Sequence, residues 1–422
     1  MERNRIYLCL AHMSGTEMTF IKEAFDTNWV VPMGPNVNGF EQDLEKFVNN
    51  REGAKPLDKT VCCLSAGTAA VHLALLACGV GPGDEVIVQS FTFCASSHPI
   101  TYLGAKPIFI DSENKSWNMD PDLLEEAIKD RISQTGKKPK AIIPVALYGM
   151  PYKIDRIMEI SNRYDIPVIE DAAEGLGSRF NGQVLGSFGK YGVLSFNGNK
   201  MITTSGGGAL ICKNEDDKNE ILFYATQARE SYPYYQHKHI GYNYRMSNIC
   251  AGIGRGQMTV IDDHIAHHKH VQELYCNLLS DVEGITMHCN PGPEYESNYW
   301  LCTATLDPNI KIKGQENAYK QIIKGAVGGA AGVTHAAESA TTDCQPNANV
   351  EALRIALDAA NIEARPLWKP MHKQPVYKNA ISYTNGVSES LFAVGICLPA
   401  GPCVSDDDVR YIVDNIKDAI IK

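Results

Sequence analysis

The chain has no long hydrophobic run. Its apolar stretches are short, so no segment suits a membrane span. Met1-Glu2-Arg3-Asn4-Arg5 opens it without an extended apolar stretch or a cleavage site, so we expect no secretory leader and a cytoplasmic location. No cluster of Lys and Arg is interleaved with aromatics, and the formal net charge is −10, which argues against nucleic acid as the main partner. The 12 histidines make no H-E-x-x-H, so no metal is expected. His264, His267, His268 and His270 suit one face of an exposed helix better than a metal site. The 13 cysteines are odd in number and scattered, with no repeated C-x-x-C. They suit reduced core thiols, and Cys62-Cys63 fall on a strand of buried character.

What is present suits a large globular protein. With 422 residues, 44 % of them hydrophobic, the chain can bury one large core and a smaller one. A loop signal at Val31-Pro32-Met33-Gly34-Pro35-Asn36 precedes a helix predicted over 39–48. Strands are then predicted at 61–64, 85–88, 107–110, 141–145 and 168–170. Helices are predicted at 68–78, from Pro121 (capped by Asp120) to about 129, and at 154–164. This alternation implies an α/β fold: a mostly parallel sheet with helices on both faces. Ligands on such sheets bind beyond the carboxyl ends of the strands. We expect a large domain over 1–245, a long connecting helix over 246–279 and a smaller α+β domain over 280–422. Residues 325–349 are rich in Gly, Ala, Ser, Thr and Asn and suit a flexible surface insertion.

Chemically capable residues gather at the predicted strand ends. Ser65-Ala66-Gly67-Thr68 joins a strand to a helix, where backbone N–H groups bind phosphate and glycine admits the anion closely. Alone, it reads better as an ordinary capped strand–helix turn. Phe91 follows a strand, where its ring either stacks on a flat cofactor or fills the core. Asp171 ends a strand, where it either holds a pyridine nitrogen protonated or caps a helix. Lys200 closes Leu194-Ser195-Phe196-Asn197-Gly198-Asn199-Lys200. To act as a nucleophile it must lose a proton held with a pKa of about 10.4, through burial or a nearby cation. Ser195 offers a further hydroxyl. In this order the residues point to a carbonyl cofactor: a Schiff base to lysine, a carboxylate at the ring nitrogen and a cradle for the phosphate.

Several segments extend this pattern. Ser65-Ala66-Gly67-Thr68-Ala69-Ala70, Glu170-Asp171-Ala172-Ala173-Glu174, Ser195 to Lys200, Gly241-Tyr242-Asn243-Tyr244-Arg245-Met246-Ser247-Asn248 and Arg365-Pro366-Leu367-Trp368-Lys369-Pro370-Met371-His372 are present in that order. Together they resemble the DegT/DnrJ/EryC1/StrS sugar aminotransferases over nearly the whole chain. The resemblance implies an enzyme with the type I aminotransferase fold, a homodimer with shared active sites, and pyridoxal 5′-phosphate (PLP). It implies Lys200 as the Schiff-base lysine and general acid/base, with Asp171 at the pyridinium. It places Gly67, Thr68 and Ser195 at the phosphate, Phe91 on the ring, Glu174 near the cofactor hydroxyl and Asn243 at the neighbouring subunit's phosphate. Family dehydratases carry histidine where this chain has Lys200, so that branch is disfavoured.

Asn28 to Val37, Asn197 to Lys200 and Arg365 to His372 resemble the branch that aminates UDP-4-keto-6-deoxy-N-acetylglucosamine, with L-glutamate as donor. Arg245, Arg365 and Lys369 would then meet phosphates or the donor carboxylate, Trp29 and Trp368 an apolar face, and His372 would lie with them. Three features depart from the pattern: Leu8-Cys9-Leu10-Ala11-His12-Met13 at the start, Glu174 in place of Gln or His, and the long 325–349 segment. A 3-keto or dTDP-linked sugar stays open as substrate, as does a non-catalytic PLP-fold binding protein. Gly206-Gly207-Gly208 does not fit a G-x-G-x-x-G nucleotide fingerprint.

Overall fold

The computed structural model describes residues 3–50, 55–320 and 343–421. Two four-stranded sheets meet edge to edge through parallel bridges at Ile142–Val168 and Val145–Asp171. The joined order is Thr60–Leu64, Gly208–Cys212, Tyr191–Ser195, Ile169–Asp171, Ile142–Ile143, Glu85–Gln89, Lys106–Ile110 and Ile381–Tyr383. Gly208–Cys212 runs antiparallel to both neighbours, and the other pairings are parallel. The predicted mostly parallel sheet is therefore present, and the strand bounds shift by a residue or two.

Side-chain alternation explains why helices cover both faces. Successive residues of a strand point to opposite sides. Val61, Cys63, Ile87, Ile108 and Ile211 join one apolar cluster, while Cys62, Leu64, Val86, Phe109 and Leu210 join another. The first face packs on helices Pro35–Asn49, Pro121–Thr135 and Ile154–Tyr164; the second packs on Gly67–Ala77 and Glu215–Ala225. Burying each large aliphatic side chain contributes about 1.5–3 kcal/mol.

A further cluster gathers Val271, Tyr275, Leu353, Leu357, Ile396 and Ile412 around the strands Cys302–Leu306 and Gly395–Leu398. Ile381–Tyr383, although beyond residue 280, belongs to the large sheet instead. The stretch predicted as one connecting helix is two, Asn248–Met258 and Ile261–Leu279. At the break, Thr259 and Val260 donate to carbonyls three residues back, and Val260 leaves the helical region at φ −125°. Glycine in the first of these helices has a packing cause: a Cβ on Gly254 would lie 2.6 Å from the Phe40 ring.

The histidine cluster does not form one exposed face. His264 is 4 % and His268 0 % exposed, each with Nδ1 within 3.2 Å of a backbone carbonyl, from Met201 and Tyr299. Only His270 turns outward, to Asp406 at 2.8 Å. Most of 325–349 lies outside the described residues. Its last part is not loop: Asn347 caps helix Ala348–Ala359 by accepting from Val350 N. Among the described residues no helix is long and apolar enough to cross a membrane.

Candidate active site

A cavity of about 350 Å³ opens at the carboxyl ends of Thr60–Leu64, Ile169–Asp171 and Tyr191–Ser195. Gly67 and Thr68 line one end at the start of helix Gly67–Ala77. The residue before this helix, Ala66, has no side chain able to cap it, so the first-turn N–H groups are left without a side-chain acceptor. Ser195 faces them. A Cβ on Gly67 would meet Ser195 Cβ at 3.1 Å, and one on Gly208 would lie 2.4 Å from Gly67 N. Glycine at both positions lets strand and helix start approach this closely. An anion at the helix start would gain from the helix dipole as well as from these donors.

Asp171 occupies another wall, 5 % exposed. Ser96 Oγ donates to its Oδ2 at 2.6 Å, and Ala173 N to its Oδ1 at 3.2 Å. Burial raises its pKa; the two hydrogen bonds and the Lys200 charge oppose the rise. Lys200 reaches the cavity from the turn after Tyr191–Ser195, which closes with Lys200 N donating to Asn197 O. Its Nζ lies 3.3 Å from Glu174 Oε1 and 3.9 Å from the centre of the Trp300 ring. Trp300 is held by its Nε1, which donates to Asn199 O at 2.5 Å. The other Glu174 oxygen accepts from Tyr148 N at 2.7 Å. Burial raises the Glu174 pKa against the Lys200 charge.

The structure redistributes other expected residues. Phe91 is fully buried among Cys9, Trp117, Leu147 and Trp300, away from the cavity; Phe93, two residues on, lines it instead. Replacing Phe91 by alanine is expected to cost about 3–5 kcal/mol of stability. Phe93→Ala, at a site 51 % exposed, should leave the melting temperature near native. It should weaken cofactor retention by about 0.5–1.5 kcal/mol. Melting curves and cofactor titrations of the two variants check the assignment.

Arg245 does not face the cavity. Its guanidinium is 2.5 Å from Glu41 Oε1 and 2.8 Å from Cys63 O, and Lys218 backs the same carboxylate at 3.3 Å. Arg245→Ala should therefore cost about 3 kcal/mol of stability, because it strips one cation from a buried carboxylate. The KM for a nucleotide sugar should stay native; a raised KM at native stability would restore the substrate role.

The remaining expected substrate contacts divide. Trp368 lines the cavity, with Phe93 at 5.3 Å between ring centres. Arg365 pairs with Glu363 at 3.0 Å, and Lys369 Nζ is 3.9 Å from Asp343. His372 is fixed between Ser90 Oγ at 2.6 Å and Glu389 at 3.2 Å. Trp29 is 40 % exposed and binds Asn248 through its carbonyl. Asn243 is exposed and bridges Thr226. None of these five lines the cavity. Sequence reasoning missed Phe93, Ser96 and Trp300. Ser96 lies seven residues beyond strand Glu85–Gln89 and Trp300 in a distant loop, so neither carried a local signal.

The family model for DegT/DnrJ/EryC1/StrS aminotransferases matches residues 12–328 and 315–417. The chain belongs to this family. EpsN of Bacillus subtilis (strain 168), whose name includes the words pyridoxal phosphate-dependent aminotransferase, is 41 % identical over 417 residues, covering 97 % of this chain and 94 % of EpsN. GDP-perosamine synthase of Escherichia coli O157:H7 is 32 % identical over 406 residues, 96 % of each chain. The solved DegT DnrJ EryC1 StrS aminotransferase from Brucella abortus superposes with a TM-score of 0.79 at 25 % identity, covering 96 % of this chain and 95 % of its own. The protein is thus an aminotransferase of the type I fold, and its cofactor is PLP. The cavity fits that group: an uncapped helix start with Ser195 for the phosphate, Asp171 for the ring nitrogen and Lys200 for the carbonyl carbon.

Proposed function

We propose that this aminotransferase moves an amino group from L-glutamate to the C4 carbonyl of a UDP-linked 2-acetamido-2,6-dideoxy-4-keto-hexose. The observation that carries the transamination is the convergence of Lys200, Asp171 and the uncapped helix start on one cavity, while the acceptor and donor rest on the resemblance of Asn28 to Val37, Asn197 to Lys200 and Arg365 to His372. Bound there, PLP supplies a carbonyl that carries the amine and a ring that takes up electrons. Asp171 keeps the ring nitrogen protonated. Gly67, Thr68 and Ser195 hold the phosphate, and Phe93 packs on the ring in place of Phe91. Lys200 Nζ takes the proton from Cα of glutamate and later delivers one to C4 of the sugar. Glu174 orients Lys200 through their ion pair. Trp300 and Trp368 exclude water around these atoms.

Among the described residues, Lys200 is the only cation lining the cavity. Its charge is committed to the chemistry, so the sugar diphosphate needs another source of positive charge or N–H donors. This supports a homodimer in which a second copy completes each site, with Asn243 reaching the neighbour's cofactor phosphate. A nucleotide-linked substrate and a chain of reduced thiols fit the cytoplasm. The similarity to GDP-perosamine synthase keeps other nucleotide-linked ketosugars as the second reading.

The test has two stages. Visible absorption of the holoenzyme is recorded before and after L-glutamate. Loss of the visible band is expected, followed by its recovery with the UDP-linked 4-keto sugar. No response to glutamate would overturn the donor. Recovery only with a 3-keto, GDP- or dTDP-linked sugar would overturn the acceptor.

A further inference from the structure

Two cysteines lie in contact away from the cavity. Cys276 sits near the end of helix Ile261–Leu279, and Cys289 lies two residues beyond strand Ile285–Met287. Their Sγ atoms are 3.5 Å apart. Gln272, itself buried, points its amide at both sulfurs, at 3.5 Å and 3.8 Å, and donates to His288 O at 2.9 Å. Cys289 is exposed, so a small oxidant can reach it. Hydrogen bonds from Cys276 and Gln272 lower its thiol pKa against the effect of burial, which favours the thiolate, the form that reacts with oxidants.

A connected path runs from this pair to the cavity. Asn290, next to Cys289, donates its N–H to Tyr299 Oη at 3.2 Å and accepts from Ser297 N at 3.0 Å. Tyr299 is held in the left-handed region at φ 49°, where a non-glycine residue is strained, and its carbonyl is pinned by His268. The next residue, Trp300, covers Lys200 Nζ at 3.9 Å. A displacement of Cys289 and Asn290 therefore pulls on the residue that adjoins the wall over Lys200.

We propose that Cys276 and Cys289 form a reversible disulfide whose closure shifts Tyr299 and Trp300 and slows the reaction at Lys200. The oxidant is a peroxide. The Cys289 thiolate attacks a peroxide oxygen, the O–O bond breaks, and hydroxide leaves as water after taking a proton. Cys289 is then a sulfenic acid. Cys276 sulfur attacks the Cys289 sulfur, the S–O bond breaks, and a second water leaves with the Cys276 proton. Two thiols and one hydrogen peroxide give one disulfide and two waters, with two electrons passing from sulfur to oxygen. A disulfide needs an S–S distance of about 2.05 Å, so the sulfurs must close by roughly 1.5 Å. Cys289, exposed and on a loop, supplies most of that movement. A thiol reductant reverses the bond.

The active-site half of the proposal rests on the cavity reading above; the thiol half does not. Full-length holoenzyme is treated with hydrogen peroxide, alkylated and digested, and its peptides are mapped by mass spectrometry. A Cys276–Cys289 cross-link is expected, with turnover down about fivefold or more and restored by dithiothreitol. The double variant Cys276→Ser/Cys289→Ser should keep basal activity and resist the same dose. Absence of the cross-link overturns the proposal. So does complete cross-linking with unchanged turnover and cofactor absorption, or equal loss of activity in native and double-variant protein. The peptide map needs no turnover, so a failed sugar assignment and a failed thiol assignment give different results.

Discussion

Replacing Lys200 by alanine is expected to lower turnover by about 10²–10⁴-fold or more. Among the described residues Lys200 Nζ is the one cation lining the cavity, and it is the group assigned here to move the proton at the donor Cα and the sugar C4. The deletion should spare folding, since Lys200 pairs with Glu174 rather than filling the core. It should also spare cofactor retention through the phosphate cradle at Gly67 and Ser195. A small amine such as methylamine fits the space vacated by the side chain and should recover part of the activity. Steady-state rates with and without the amine read this out. A structural lysine would give no such rescue, and undiminished activity would refute the role outright.

Asp171→Asn should separate catalysis from stability. The asparagine keeps the shape and can accept from Ala173 N while donating to Ser96 Oγ. It cannot supply the negative charge that keeps a ring nitrogen protonated, so kcat should fall about 10²–10³-fold. Stability should move the other way. Burial raises the folded-state pKa of Asp171 above its unfolded value. Its contribution to stability is then fully present below the unfolded value, about pH 4, and is lost as pH rises through the folded value. At neutral pH the apoenzyme bears that loss, and asparagine removes it. Apoenzyme melting should thus be equal or higher in the variant at pH 7, with the difference shrinking toward pH 4. A large drop in apoenzyme melting at pH 7 would mean that Asp171 chiefly supports the fold.

Local pattern made the cavity's backbone legible in the sequence. The apolar runs that precede Ser65 and Asp171 mark their strands, and side chains at or just past strand ends share one rim of a parallel sheet by construction. The miss at Phe91 has a local cause. Alternation assigns a face only while the strand lasts, and Glu85–Gln89 ends before either phenylalanine. Beyond it, Ser90 N still binds Ile110 O, while Phe91 turns inward and Phe93 outward. The arginines failed for another reason. Charge marks a residue as needing a partner but not which one, and Glu41 lies 204 positions from Arg245. Trp300 was beyond any local signal, because its contact with Lys200 joins distant parts of the chain.

The pairing of Ile381–Tyr383 with Lys106–Ile110 also sets an order of events during synthesis. The earlier strand leaves the ribosome with one side open, and its partner begins 271 residues after Ile110. At about 5–20 residues per second, that edge waits roughly 15–55 seconds for its neighbour. A bare strand edge recruits strands from other chains. The nascent protein is therefore most prone to aggregate in this interval, and chains cut short before Ile381 should need a chaperone to stay in solution.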